Sequence, residues 1–375
     1  MLYYLSDLLS PYWGPFRLLR SHALLLAGGA FTAAILTWIL LPRLWERLPR
    51  DHGKAILKDM DGMKSAGKPT GSGLIVTLAA FPAVILFAPL AFWDMAAVLS
   101  LYGAMLFGYL DDRSKNPWGE LRKGLLDAVV SIAIATFIFI GHSETFEGSR
   151  AMVAWLPFFK GNFMVGDIGV WLVPGWIYVP VAAFMLWFTM NATNCSDGVD
   201  GLAGTLTVIT LAMLAVVLYV VVGYRPVAHY FLIPVYAEAA RWAIVVATVA
   251  GAFCGYLWYN AEPSKILMGD AGSRFLGILV ATASMMTGNP LFVLFLSPVV
   301  LVNGGGGLGK LLLLRLAKRL GFQIGDDSVI KRVRFPLHDH CKKKLGWSNA
   351  QVLMRFVLLQ LAVMPILLLV LLKVR

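Results

Sequence analysis

The chain has 375 residues, 59% of them hydrophobic and only 14% charged, with a mean hydropathy of +0.74. That composition excludes an ordinary soluble domain and indicates a polytopic membrane protein. The net charge of +11 comes with no basic soluble module that would bind nucleic acid, and loops rich in Lys and Arg on the cytoplasmic side account for it.

A membrane-spanning helix needs about 20 mostly apolar residues. The sequence predicts ten such runs: Ala23–Leu41, Gly73–Phe92, Ala96–Leu110, Leu125–Ile140, Ile177–Thr193, Leu202–Val222, Ala239–Tyr259, Phe275–Met286, Leu291–Leu316 and Val352–Leu372. The fold class is therefore an all-α polytopic membrane protein, read as one integral-membrane domain over residues 1–375. Met1–Arg20 carries Pro11, Pro15 and charges and does not read as a cleavable signal peptide. The ninth run contains Asn303 followed by a run of glycines. This predicts either a bend, with the freed backbone groups satisfied by neighbours, or a close helix contact, with equal weight.

Lys and Arg concentrate in the loops after runs one, three, seven and nine, so the odd-numbered loops are expected in the cytoplasm and both termini outside. Arg17, Arg20, Lys373 and Arg375 weigh slightly the other way. The fourth loop is long and external, and residues 158–170 predict a small β-hairpin with Gly161-Asn162 as its turn. Cys195, Cys254 and Cys341 are far apart and read as unpaired thiols rather than as a disulfide or metal site.

The conspicuous polar residues fall in the odd loops. They are Lys68 and Thr70; Asp111, Asp112 and Lys115; Asn191, Asn194, Asp197 and Asp200; Asn260, Asp270 and Ser273; and His338, Asp339 and His340. Each group alone has an ordinary explanation. Asp111-Asp112 is a solvated helix end, Met268-Gly-Asp270 a turn, and Lys68-Pro-Thr-Gly a flexible loop that is no Walker motif. Lys342–Lys344 reads as an anchor to anionic lipid. Five such segments on one side of the bilayer make a single site the better reading. Five aspartates (Asp111, Asp112, Asp197, Asp200, Asp270) gathered there would repel unless cations sit among them. Oxygen ligands with few histidines suit Mg²⁺ or Mn²⁺. Lysines and Gly/Thr/Ser loops add phosphate-binding donors, so the chemistry expected is phosphoryl transfer.

Over nearly its whole length the chain resembles the polyprenyl-phosphate N-acetylhexosamine-1-phosphate transferases. The matching signatures are Gly67-Lys-Pro-Thr70, Gly108-Tyr-Leu-Asp111-Asp112 with Lys115, Asn191-Ala-Thr-Asn194-Cys-Ser-Asp197-Gly-Val-Asp200, Met268-Gly-Asp270-Ala-Gly-Ser273 and Pro336-Leu-His338-Asp-His340 with Gly346-Trp347. The last element favours the muramoyl-pentapeptide branch. The resemblance implies a ten-helix bacterial inner-membrane enzyme with periplasmic termini, a small periplasmic β-hairpin and an active site on the cytoplasmic face. It implies Mg²⁺ as cofactor, with UDP-N-acetylmuramoyl-pentapeptide and undecaprenyl phosphate converted to lipid I and UMP in peptidoglycan synthesis. It leaves a homodimer open.

Residue by residue, the resemblance makes Asp270 the Mg²⁺ ligand, with Asp197 near the metal. Asp111 and Asp112 would handle the lipid phosphate, one of them as base, and His338 joins the catalytic set. Thr70, Lys68, Lys115, Asn191, Asn194, Asp197, Asp200, Ser273 and His340 fall at substrate-binding positions. The chain departs from the family pattern at Ser65, Leu267, Asn303 and Asp339. One rival reading is a transferase using UDP-N-acetylglucosamine. Another, of a different class, is a cation-coupled secondary transporter, which would hold its acidic residues near the bilayer midplane.

Overall fold

The computed structural model describes residues 1–51, 65–114, 116, 118–146, 148–157, 159, 161–165, 167–322, 328 and 332–373. Lys115 lies outside the described residues. Ten helices follow the ten apolar runs. They are α1 (His22–Leu44), α2 (Gly73–Phe87), α3 (Phe92–Arg113), α4 (Glu120–His142), α5 (Gly175–Ser196), α6 (Leu202–Val222), α7 (Ala239–Asn260), α8 (Gly269–Met285), α9 (Pro298–Arg319) and α10 (Asn349–Lys373). Within a bilayer, helices satisfy their own backbone groups, which is why apolar runs of this length take this form.

Eight of the ten are long and apolar enough to cross a membrane. The other two are α2, with 15 residues, and α8, with 17. α2 stops at Phe87 rather than at the expected Phe92. Ala88 is extended (φ −87°, ψ 119°) because Pro89 follows it, and the residue before a proline is driven out of the helical region. α8 is short but buried along its entire length from Ala271 to Met285. It packs against α5, α3, α6 and α2 and forms the axis of the bundle. A helix apolar all round belongs in such an interior position.

Both readings of the glycine run hold. α9 passes through a π-helical turn at Leu301–Gly305 before continuing as Gly306–Arg319. In the same turn Gly304 lies so close to the Ala192 carbonyl of α5 that a β-carbon would overlap it. π-turns inside a helix re-aim its side chains and often mark functional positions.

Between α4 and α5 lies a four-stranded antiparallel sheet. It consists of β1 (Glu144–Phe146), β2 (Ser149–Ala154), β3 (Phe163–Val165) and β4 (Ile168–Pro174), in the order β1-β2-β4-β3. The expected single hairpin is thus one half of a larger sheet. Its reversal is also displaced: Val165 pairs with Ile168, so the chain turns between them and not at Gly161-Asn162. Trp155 ties the sheet to the end of α8, its backbone N–H donating to the Gly288 carbonyl at 3.1 Å and its indole N–H to the Thr287 carbonyl at 2.9 Å. Among the described residues no disulfide joins Cys195, Cys254 or Cys341.

Candidate active site

The site is built around the N-terminus of α8. The residues just before it pair with the loop that leads into α2. The Leu267 N–H donates to the Pro69 carbonyl at 2.8 Å, and the Ser72 hydroxyl donates back to the Leu267 carbonyl at 2.8 Å. Gly269 then turns the chain with φ +67°, a conformation that L side chains rarely adopt. A β-carbon there would strike the Asp112 carboxylate. Asp112, at the end of α3, accepts the Asp270 N–H at 3.0 Å and the Ala271 N–H at 3.1 Å. A carboxylate on two orphan N–H groups at a helix start is favoured by hydrogen bonding and by the helix dipole. Gly108, one turn earlier on α3, leaves room for the Asp270 carbonyl.

With its backbone so fixed, Asp270 presents its carboxylate to three donors. Oδ1 accepts the Asn194 amide at 3.0 Å. Oδ2 lies 3.3 Å from the Arg274 guanidinium and 3.5 Å from Lys123 Nζ. Asn194 also donates to Ser273 Oγ at 3.0 Å, and the Ser273 hydroxyl donates to the Gly269 carbonyl. Lys123, in the first turn of α4, reaches Asp111 Oδ2 at 2.5 Å. Asp111 Oδ1 accepts the Trp118 N–H at 2.8 Å. Behind them Arg274 grips Asp127 of α4, one guanidinium nitrogen meeting both carboxylate oxygens at 2.5 and 2.6 Å. Asn191 leans onto this pair, bonding Asp127 and donating to the Trp187 carbonyl.

A second group joins three other segments. Lys68 Nζ donates to Ser264 Oγ at 2.9 Å and lies 3.5 Å from Asp200 Oδ2. The Ser264 N–H donates to the same oxygen at 3.1 Å. Asn260 pins the neighbouring backbone, accepting the Gly201 N–H and donating to the Ile266 carbonyl. A third group holds His338. Its backbone N–H donates to Asn303 Oδ1 at 2.9 Å, and its Nδ1 lies 3.1 Å from the same oxygen. Its ring packs on Gly198 so closely that a β-carbon there would overlap Nε2. Asn303, one of the departures from the family pattern, thus supplies the acceptor for His338.

The aspartates expected as one gathering are divided among these groups. Asp111, Asp112 and Asp270 share the α8 cluster, Asp200 pairs with Lys68, and Asp197 ends α5 as its C-terminal cap. Thr70 is half-buried, its N–H on the Pro49 carbonyl. His340 accepts the Arg334 N–H at 3.2 Å and so fixes a local turn. Sequence reasoning missed Lys123, Asp127 and Arg274. The signal available was their position: Asp127 lies inside the fourth apolar run and Arg274 directly before the eighth. Charged residues at membrane depth are retained for function by default.

Mg²⁺ fits this donor set. Among the described residues the cationic side chains that meet Asp111, Asp127 and Asp270 are Lys123 and Arg274, so carboxylates outnumber cations there, and the donors are oxygens. Among the described residues no group of three His, Cys, Asp or Glu forms a ready cage. Mg²⁺ does not require one, since it takes one or two carboxylates and completes its shell with water and substrate phosphate.

The model of glycosyl transferase family 4 matches residues 95–288, which contain all of the α8 cluster. A phospho-N-acetylmuramoyl-pentapeptide-transferase of Treponema pallidum is 39% identical over 351 residues, 93% of this chain and 90% of the relative. Proteins of the same name from Campylobacter curvus and Borreliella burgdorferi are 28% and 27% identical, covering 96% and 91% of this chain and 96% and 93% of their own lengths. By the extent of these matches the chain belongs to the phospho-N-acetylmuramoyl-pentapeptide-transferase family.

Proposed function

We propose that the chain transfers phospho-N-acetylmuramoyl-pentapeptide from UDP-N-acetylmuramoyl-pentapeptide to undecaprenyl phosphate, giving lipid I and UMP, a membrane step of peptidoglycan synthesis. The observation that carries this reading is the Asp111–Lys123–Asp270 cluster at the capped start of α8. There a phosphate can be neutralised without leaving the membrane edge. Asp270 is the Mg²⁺ ligand of this reading, with Asp197 as a neighbouring one. When bound, the ion supplies charge neutralisation of the pyrophosphate.

The protein's own residues divide the remaining work. Lys123 holds the acceptor phosphate beside Asp111. Asp111 is the candidate for a base because it stands beside Lys123, whereas Asp112 is turned onto the backbone at the start of α8. A phosphate monoester has a second pKa near 6, so it arrives largely deprotonated and needs little help from Asp111. Its oxygen attacks the sugar-proximal phosphorus, and UMP leaves. Asn194 and Ser273 orient Asp270, and Lys68 with Asp200 orders the loop expected to meet the nucleotide. His338 and His340 lie on the same side of the fold.

The acceptor's tail has a path. An apolar groove of about 570 Å³ runs between α4 and α5, lined by Leu121, Leu125, Ile132, Pro180, Phe184 and Trp187. It begins beside Gly124, the residue after Lys123. α9 contributes no residue to it. Lys- and Arg-rich loops next to the site favour a cytoplasmic active face in the bacterial inner membrane and periplasmic termini.

The test is UMP release by the purified chain with undecaprenyl phosphate and each of two donors. Turnover with UDP-N-acetylmuramoyl-pentapeptide is expected. Turnover with UDP-N-acetylglucosamine alone would move the chain to the other transferase branch. Solute movement in liposomes without UMP release would make it a transporter.

A further inference from the structure

We infer that the buried Asp127–Arg274 pair is a positioning device for Asp270, holding back a guanidinium that would otherwise occupy the place of the divalent cation. The inference rests on the metal reading above. Arg274 is one helical turn beyond Asp270 on α8, and its side chain is 5% exposed, that of Asp127 0%. The short contacts, 2.5 and 2.6 Å, go to Asp127, while Asp270 receives a longer one of 3.3 Å. A guanidinium meeting a carboxylate commonly uses two nitrogens in parallel. Here one nitrogen spans both Asp127 oxygens, the second is left for Asp270, and Nε is buried without an acceptor among the described residues.

The arrangement is poorly explained by stability. A buried ion pair is weak evidence for stability, because desolvation offsets the attraction and an apolar pair of similar volume often serves as well. The geometry explains it better. α4 supplies Lys123 and, one turn later, Asp127. One helix face thus brings a cation to Asp111 and Asp270 and an anion that draws Arg274 away from Asp270. Asn191 fixes Asp127 from α5. Arg274 then steadies the Asp270 carboxylate from 3.3 Å while its closer contacts stay on Asp127.

The test uses the purified full chain without substrates and Mn²⁺ alone as probe, with free Mn²⁺ read by electron paramagnetic resonance. Asp127→Asn releases Arg274, still cationic, toward Asp270. Mn²⁺ affinity is expected to fall by about tenfold or more, the range seen when partners of metal ligands are removed. Asp127→Leu combined with Arg274→Met removes both the competitor and its restraint and is expected to fold. Its affinity is expected to return close to that of the wild type. Wild-type affinity in Asp127→Asn, or a double variant as weak as that single variant, overturns the proposal. A wild-type chain that binds no Mn²⁺ removes the metal reading itself, and the proposal with it.

Discussion

Asp112 offers the sharpest test of how the site is built, because its carboxylate closes the start of α8 rather than facing the cleft. Asp112→Ala removes the acceptor of the Asp270 and Ala271 N–H groups and leaves both near the helix axis of the bundle. A buried donor left without its acceptor costs about 1–3 kcal/mol. The two share one carboxylate and are not additive, so a loss of about 2–4 kcal/mol is expected. Asp112→Asn keeps one acceptor oxygen and is expected to lose roughly half as much. Asp111→Ala is the control: its oxygens meet the Lys123 side chain and the Trp118 N–H, so it should weaken turnover more than folding. Thermal unfolding in detergent, read as loss of the monodisperse chromatographic peak, separates the variants. The reasoning is refuted if Asp112→Ala unfolds at the wild-type temperature, or if Asp111→Ala is the less stable of the two.

Three further outcomes are expected. Asp270→Asn should lose Mg²⁺-dependent UMP release by more than about 10²-fold while its unfolding temperature stays near that of the wild type; retained activity would move the metal to Asp197 or Asp200. Lys123→Met should lower kcat by about 10²–10³-fold, as removal of a charge-stabilising donor does, and an unchanged kcat would remove Lys123 from the reaction. Ile132→Trp, which fills the α4–α5 groove, should raise KM several-fold for undecaprenyl phosphate but not for a short, soluble prenyl phosphate; equal effects on both acceptors would place the tail elsewhere.

The helices and their order were legible from the sequence, because apolar run length is a local property. So was the family that the chain resembles. The bend near Asn303 was legible too, since a glycine run weakens a helix wherever it sits. The short reach of α2 was less so, although Pro89 marked it.

Only the tertiary structure decided which charges meet. Asp112 caps a helix whose first residue follows it by more than 150 positions, and Asp127 pairs with Arg274 across a separation of 147. No local pattern encodes such contacts. Asp111 and Asp112 are neighbours in sequence, yet consecutive residues on a helix point about 100° apart. One therefore faces Lys123 and the other the end of α8. The sequence by itself determined that aspartates of this kind would stand at the membrane edge. Helix packing determined that Asp111 meets Lys123, Asp112 the start of α8, and Asp127 an arginine.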